Sequence, residues 1–411
     1  MVRRLRIEDL LTVAVPEQPA VSPDGRVAYV LRTSDADADR VRRDIWCAGP
    51  DGRAPRRLTR GPADSAPAWS PDGSRLAFLR AEDGPAQLWL LPADGGEAEQ
   101  VTSLPLGAGA AVWSPDGTKI AFTAAVDPAA GADEDEEDAR RRHASAPVVL
   151  RRLDYQLDGT GLLRGVRNHL FLYDTAAGRC RRLTEGDWHA GEPAWSPDST
   201  RLAFAAAPAP DADLVVRAPV HVLDIGDEHA RPRPVGLREG FGSAVTWTPD
   251  GEALLVVGMP GDPVGHARLL RVPLDGGPVL DLAAGLDRNV MRGAPGYPGA
   301  QPRFTADGRT VLFCVRDRGC THLYAVDADG GTPRPVVAGA ATSCPACRWP
   351  VTRPRSSSPP PPRTVTWSPW TWAAACRPCS PRTTRHSPTW SCSRARSGSS
   401  PPRTARPCTA G

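Results

Sequence analysis

One phrase recurs along this chain, and its recurrence limits the possible fold more than any other feature. Residues 67–80 read PAWSPDGSRLAFLR, with close variants at 19–32 (PAVSPDGRVAYVLR), 111–124 (AVWSPDGTKIAFTA) and 193–206 (PAWSPDSTRLAFAA). Looser copies occupy 245–258 (VTWTPDGEALLVVG) and 302–315 (PRFTADGRTVLFCV). The turn aspartates are Asp24, Asp72, Asp116, Asp198, Asp250 and Asp307, spaced by 48, 44, 82, 52 and 57 residues. A unit repeated every ~40–50 residues marks a propeller blade or a comparable array.

Each copy has a physical reading. In Ser-Pro-Asp-Gly the proline presets φ at the second turn position and Asp tolerates the third. Gly then takes the left-handed conformation that lets the next strand leave in register. A bulky residue (Trp69, Trp113, Trp195, Trp247 or Phe304) closes the strand before the turn. One aromatic per unit at a fixed place reads as core packing rather than a ligand platform. Runs such as Arg75-Leu76-Ala77-Phe78-Leu79 read as largely buried strands. A second hairpin follows at 45–59, 88–102, 269–283 and 323–338, giving four strands per unit.

The double interval between Asp116 and Asp198 is read as holding one further blade whose SPDG turn is lost or replaced. It contains an acidic-then-basic run at 132–142 (ADEDEEDARRR), read as a solvated loop, and the segment 148–174 (VVLRRLDYQLDGTGLLRGVRNHLFLYD), read as strand, Gly-rich loop and strand. Residues 6–12 are expected to form a short helix. The predicted fold is all-β: a β-propeller of four-stranded blades, six to seven in number and incomplete, with a disordered C-terminal tail.

Composition divides the chain near residue 340. The whole carries a net charge of +3, but residues 1–340 hold all 47 acids against 39 basic residues, net −8. Residues 341–411 hold no Asp, Glu, Lys, Leu, Ile, Phe or Tyr, with 11 Arg, 14 Pro, 5 Trp and 6 of the 10 Cys. The predicted domains are therefore a propeller over 1–340 and a low-complexity tail over 341–411 that cannot bury a core. Cys47, Cys180, Cys314 and Cys320 are scattered on strand-like segments, which suits reduced thiols and a cytoplasmic location. The opening residues do not read as a signal peptide, since Glu8 and Asp9 break the apolar run. No stretch approaches the roughly 18 apolar residues of a membrane helix, so no membrane partner is expected.

Three segments together resemble a known family: LRIEDLL with PAVSPDGRVAYV, then LDYQLDGTG with NHLFLYD, then LTEGDWHAGEPAWSPDSTRLAF. They are similar to the N-terminal propeller of prolyl oligopeptidase-family serine peptidases, of the acylaminoacyl-peptidase or dipeptidyl-peptidase type. The resemblance covers residues 5 to about 340. It implies a propeller that caps an α/β-hydrolase domain, admits only short or unstructured peptides, and leaves nucleophile, acid and histidine on the hydrolase. Here no G-x-S-x-G elbow occurs. None of His143, His169, His189, His221, His229, His266, His322 and His386 stands in a serine-and-acid pattern, and His189 in DWHAGEP reads as a surface or packing residue. No residue is assigned a catalytic, cofactor-binding or metal-binding role, and no cofactor is expected. The expected function, implied by the resemblance, is that of the substrate-gating propeller of a serine peptidase cleaving short or N-blocked peptides, in a chain that itself lacks the α/β-hydrolase domain. The alternative is a free-standing TolB-like propeller that binds proteins. Peptides are the expected partners, reached through the missing hydrolase, with self-association through unclosed edges also foreseen.

The tail contains Cys344/Cys347 and Cys376/Cys379, the outline of a zinc ribbon, and Arg with interleaved Trp, the outline of a nucleic-acid arm. Neither reading is adopted, because its only glycines, Gly398 and Gly411, lie downstream of both Cys pairs. The tail reads instead as the family sequence in the wrong frame. Shifting each codon boundary turns every Trp, Cys and TCN serine into an apolar residue, and Trp370-Thr371-Trp372-Ala373 into aliphatic-Asp-aliphatic-Gly.

Overall fold

The computed structural model describes residues 6–339, except 51–54, 62, 131–137, 139, 140, 142, 143, 146, 228 and 294–299. The predicted tail, with its two Cys pairs, lies outside the described residues. Ile7–Thr12 forms a 3-10 helix, where a short helix was expected, with the Arg6 amide donating to Asp9. Among the described residues no helix is long and apolar enough to cross a membrane.

From Val15 to Val337 the chain builds six antiparallel sheets in sequence order, each a propeller blade. Blade two shows the pattern: Asp64–Trp69, Arg75–Arg80, Gln87–Pro92 and Glu99–Gln100 pair in that order. Blade one spans strands Val15–Val21 to Arg56–Arg57, blade four Ala194–Trp195 to Arg233–Gly236, and blade five Phe241–Trp247 to Leu280–Asp281. In blade six the first strand is split, Asn289–Met291 and Arg303–Phe304 both pairing with Thr310–Asp317.

Blade three corrects the sequence reading. The strand Arg167–Asp174 does not belong to an extra blade. It pairs along its whole length with Lys119–Val126, from Lys119 opposite Asp174 to Val126 opposite Arg167. The wide spacing from Asp116 to Asp198 is thus an insertion between the second and third strands of one blade. Within it, Gln156–Leu157 and Gly161–Leu162 pair as a two-stranded hairpin. The apolar strand completes the existing sheet because only there do Leu170 and Leu172 on one face, and Phe171 and Tyr173 on the other, both meet a core.

The repeated turn is the same device six times. In blade two Gly73 N–H donates to Ser70 C=O at 2.9 Å and Ser70 N–H to Arg75 C=O at 2.9 Å, a type I turn with a glycine bulge. The Ser70 hydroxyl donates to Asp72 at 2.5 Å and accepts from Arg75 N–H at 2.9 Å. Gly25, Gly73, Gly117, Gly251 and Gly308 all sit at positive φ, as the turn requires. Blade four places Ser199 there, at φ +62, a left-handed conformation that costs a non-glycine residue about 1 kcal/mol. Its hydroxyl accepts Asp116 N–H of the neighbouring turn at 3.1 Å, which offsets part of that cost.

Five buried clusters hold the array together, each drawn from two consecutive blades: one and two, two and three, three and four, four and five, five and six. Phe78, Phe122, Phe204 and Phe313 occupy matching positions and are fully buried. The strand-closing tryptophans add a polar pin. Trp69 Nε1 donates to Ala20 C=O of the preceding blade at 3.2 Å, Trp113 to Ala68 at 3.1 Å, Trp195 to Val112 at 2.9 Å and Trp247 to Ala194 at 2.9 Å. Arg26 and Arg201 each lie 4.7 Å over the tryptophan of the following blade, Trp69 and Trp247.

Candidate functional site

The antiparallel strand order sorts the loops. All SPDG turns join first to second strands and lie at one end of the blades. Connections from second to third strands, and from one blade to the next, lie at the other end. The second group holds the two long excursions, residues 127–166 of blade three and 206–219 of blade four. By the same alternation Val15, where the first strand begins, and Val337, where the last described strand ends, also lie at this end. At its inner margin the Gln301 side-chain amide reaches from blade six to Glu192 at the start of blade four, at 2.9 Å.

Two arginines organise this end. Arg152 grips Asp154 at 2.8 and 3.3 Å and lies 3.6 Å from Asp187 and 3.8 Å from Asp213. Arg167, at the start of its strand, donates to Asp187 at 2.8 Å and lies 4.0 Å from Asp154. Asp213 also accepts Leu153 N–H at 2.8 Å, which ties the blade-three insertion to the blade-four loop. Burial works against ionisation of Asp154. The hydrogen bond and charge of Arg152, with the charge of Arg167, outweigh it and hold that carboxyl below its ordinary range.

Beneath the charges runs a column of rings. His169 meets Trp188 edge-on at 5.5 Å, Trp188 stacks on Phe204 at 6.4 Å, and Phe204 stacks on His221 at 5.9 Å. Burial lowers the pKa of all three histidines nearby, His169, His189 and His221, with Arg182 and Arg167 adding to the effect at the first two. His189, read from the sequence as a surface or packing residue, is half-buried, its Nδ1 accepts Asn168 N–H at 3.1 Å, and its buried Nε2 has no hydrogen-bond partner among the described residues. His169 pairs with the Thr184 hydroxyl at 3.2 Å. Thr184 accepts Leu170 N–H just as Thr59 accepts Ile45 N–H and Thr102 accepts Leu88 N–H, so this threonine caps a strand and is not poised for chemistry. His143 and His386 lie outside the described residues. Among the described residues no group of three or more His, Cys, Asp or Glu is placed to share a metal ion.

The structure therefore brings together two segments that carry the family resemblance: DYQLDGTG through Asp154, and DWHAGEP through Asp187 and His189. Sequence reasoning missed Arg152, Arg167 and Asp213. Arg167 left a signal, a lone charge opening an apolar strand; Asp213 left none. The blade-three insertion exposes Val149, Leu150, Leu153 and Leu157, and the blade-four loop exposes Leu214 and Val216, each at least half exposed to solvent.

These features define a β-propeller with a single elaborated face. Residues 12–139 match the TolB beta propeller domain profile. The uncharacterized peptidase YuxL of Bacillus subtilis is 30% identical over 209 residues, 50% of this chain and 32% of that protein. The Tol-Pal system protein TolB of Anaeromyxobacter dehalogenans is 39% identical over 87 residues, 21% of this chain and 19% of TolB. The Pyrococcus horikoshii acylaminoacyl peptidase structure superposes with a TM-score of 0.59 at 18% identity, over 80% of this chain and 46% of that one. The chain spans less than half the length of the peptidases it matches. The fold and these relatives together are consistent with a propeller of the prolyl oligopeptidase family.

Proposed function

We propose that this chain is the substrate-gating propeller of a serine peptidase that cleaves short or N-blocked peptides, its elaborated face meeting an α/β-hydrolase domain that carries the nucleophile. The observation that carries this reading is the exposed apolar patch of residues 148–162 and 214–216, on the face where the propeller's first strand begins and its last described strand ends. Covering that patch with a second domain removes apolar surface from water, and the Arg152 network holds its two halves in place. The similarity to a peptidase over 209 residues supports the same assignment. In this reading residues 1–340 are the propeller and residues 341–411 are out-of-frame translation of the same gene. The protein acts in the cytoplasm, and cell fractionation tests that location.

The test has two arms. The nucleotides downstream of the Gly339 codon should contain a coherent shifted frame encoding a G-x-S-x-G elbow. Protein made from the restored frame should hydrolyse aminoacyl- or N-acyl-peptide nitroanilides, and the present chain should not. Hydrolysis by the present chain, or no coherent frame, overturns the proposal. The latter result would favour a second reading, a free-standing protein-binding propeller, which the TolB beta propeller profile and the TolB relative support. Because no described cluster joins blades one and six, sheet edges should also promote association. Sedimentation velocity at rising concentration should then show a growing average mass, and a constant monomer would count against this.

A further inference from the structure

A cavity of about 250 Å³ lies in blade four, between the loop 206–219 and the fourth strand, and the ring column ends in its wall. Its sides are apolar, formed by Pro208, Val215, Pro219, Pro234 and neighbouring alanines. Three polar features break that lining. His221 is 3% exposed, and its ring stacks on Phe204. Its Nδ1 lies 3.1 Å from the Pro219 carbonyl, which can only accept, so the ring proton sits on Nδ1 and Nε2 is left as an acceptor. Among the described residues Nε2 has no partner. Arg238 and Asp211, both exposed to solvent, also line the cavity, and neither side chain has an ion pair or hydrogen bond among the described residues. Arg217, the other charged lining group, is neutralised by Glu239 at 2.6 Å.

We infer that this cavity binds a small apolar α-amino acid or dipeptide as its zwitterion. The carboxylate would meet Arg238, the ammonium would meet Asp211 and donate to His221 Nε2, and the apolar side chain would lie among the prolines and Val215. The chemistry is selective because each lining feature has one complement. An unpaired guanidinium favours a carboxylate. An unpaired carboxylate favours an ammonium, and His221 Nε2 in the same lining offers that ammonium a neutral acceptor. Burial holds the His221 ring neutral, so it stays an acceptor near neutral pH. The volume lies just below the usual range for ligand sites, which suits one residue or two and not a longer peptide. The Phe204 ring links this cavity to Trp188 and so to the elaborated face.

The test is a titration of the isotopically labelled 411-residue chain, followed by amide chemical shifts of residues 206–221. L-leucine and L-leucyl-L-leucine are the probes and separate the two sources of the zwitterion. N-acetyl-L-leucine lacks the ammonium and L-leucinamide lacks the carboxylate. At least one zwitterion should give saturable shifts, with both controls binding at least tenfold more weakly. Arg238→Gln and Asp211→Asn should each cost about tenfold in affinity. His221→Phe, which keeps the stacked ring, should do the same. Should His221→Phe unfold, the two surface variants still decide the matter. No saturable shift, equal binding of the controls, or unchanged affinity in Arg238→Gln and Asp211→Asn overturns the inference. None of these measurements involves a hydrolase, so failure of the peptidase reading would leave this result standing, and the reverse holds too.

Discussion

At Trp195 the indole N–H reaches 2.9 Å across to the Val112 carbonyl, so one atom joins blade four to blade three. Trp195→Phe keeps most of the buried ring and deletes that donor. The expected cost is about 1–2 kcal/mol, against about 3–5 kcal/mol for Trp195→Ala, which also opens a cavity. Urea unfolding midpoints check both, and an unchanged midpoint for the phenylalanine variant would show that the pin contributes nothing. The turn aspartates act through pH. The Ser196 hydroxyl at 2.5 Å is the largest influence on Asp198, and with Thr200 and Arg201 it overcomes burial to bring the pKa from 3.8 to about 2. A carboxyl with a depressed folded pKa stabilises the fold above its unfolded value, and that stability is lost as pH falls from about 4 through 2. Asp24, Asp72, Asp116, Asp250 and Asp307 shift the same way. Asp198→Asn cannot titrate, so its stability should fall less steeply between pH 4 and 2 than that of the parent. Parallel acid limbs would contradict this.

Among elements, the blade-three insertion shows both what was legible in the sequence and what was not. The six SPDG copies revealed six blades because the turn is local: Ser, Pro, Asp and Gly specify it within five residues. The assignment of Arg167–Asp174 was not local. A strand of near-continuous apolar residues suits any position buried on both sides, and nothing in NHLFLYD says which edge it joins. The site was legible to the same degree. DYQLDGTG and DWHAGEP stood out in the sequence, but their meeting through Arg152 and Asp213 depends on tertiary placement across two blades. The side chains of Arg152 and Asp213 are 16% and 10% exposed, so that pair is better shielded than a surface ion pair, whereas Asp187 is 65% exposed. Arg152→Ala should therefore cost about 1 kcal/mol and free residues 147–163 from the blade-four loop. Limited proteolysis read by mass spectrometry should show new cleavage there while blades one and two stay intact, and an unaltered cleavage pattern would argue against the staple.

Across the whole molecule the distribution of cores sets where the structure yields first. Blades two to five each contribute to two of the five clusters, whereas blades one and six each contribute to one among the described residues. Stability in stacked repeats is close to a sum of unit and nearest-neighbour terms, so a unit with one such interface opens at lower free energy than one with two. Central blades also carry the tryptophan pins on both sides: blade four donates through Trp195 and accepts from Trp247 at Ala194. Blade six has Phe304 at the matching position, which cannot donate. Amide hydrogen exchange should consequently be slowest in Arg201–Ala205 and Val220–Asp224 of blade four. It should be faster by at least about tenfold in Val27–Asp35 of blade one, where protection rests on the single cluster shared with blade two. Trp247→Phe should narrow that gap by speeding exchange in blades four and five without touching blade one. Uniform protection from blade one to blade six would mean that the array unfolds as one closed unit, and the nearest-neighbour description would have to be abandoned.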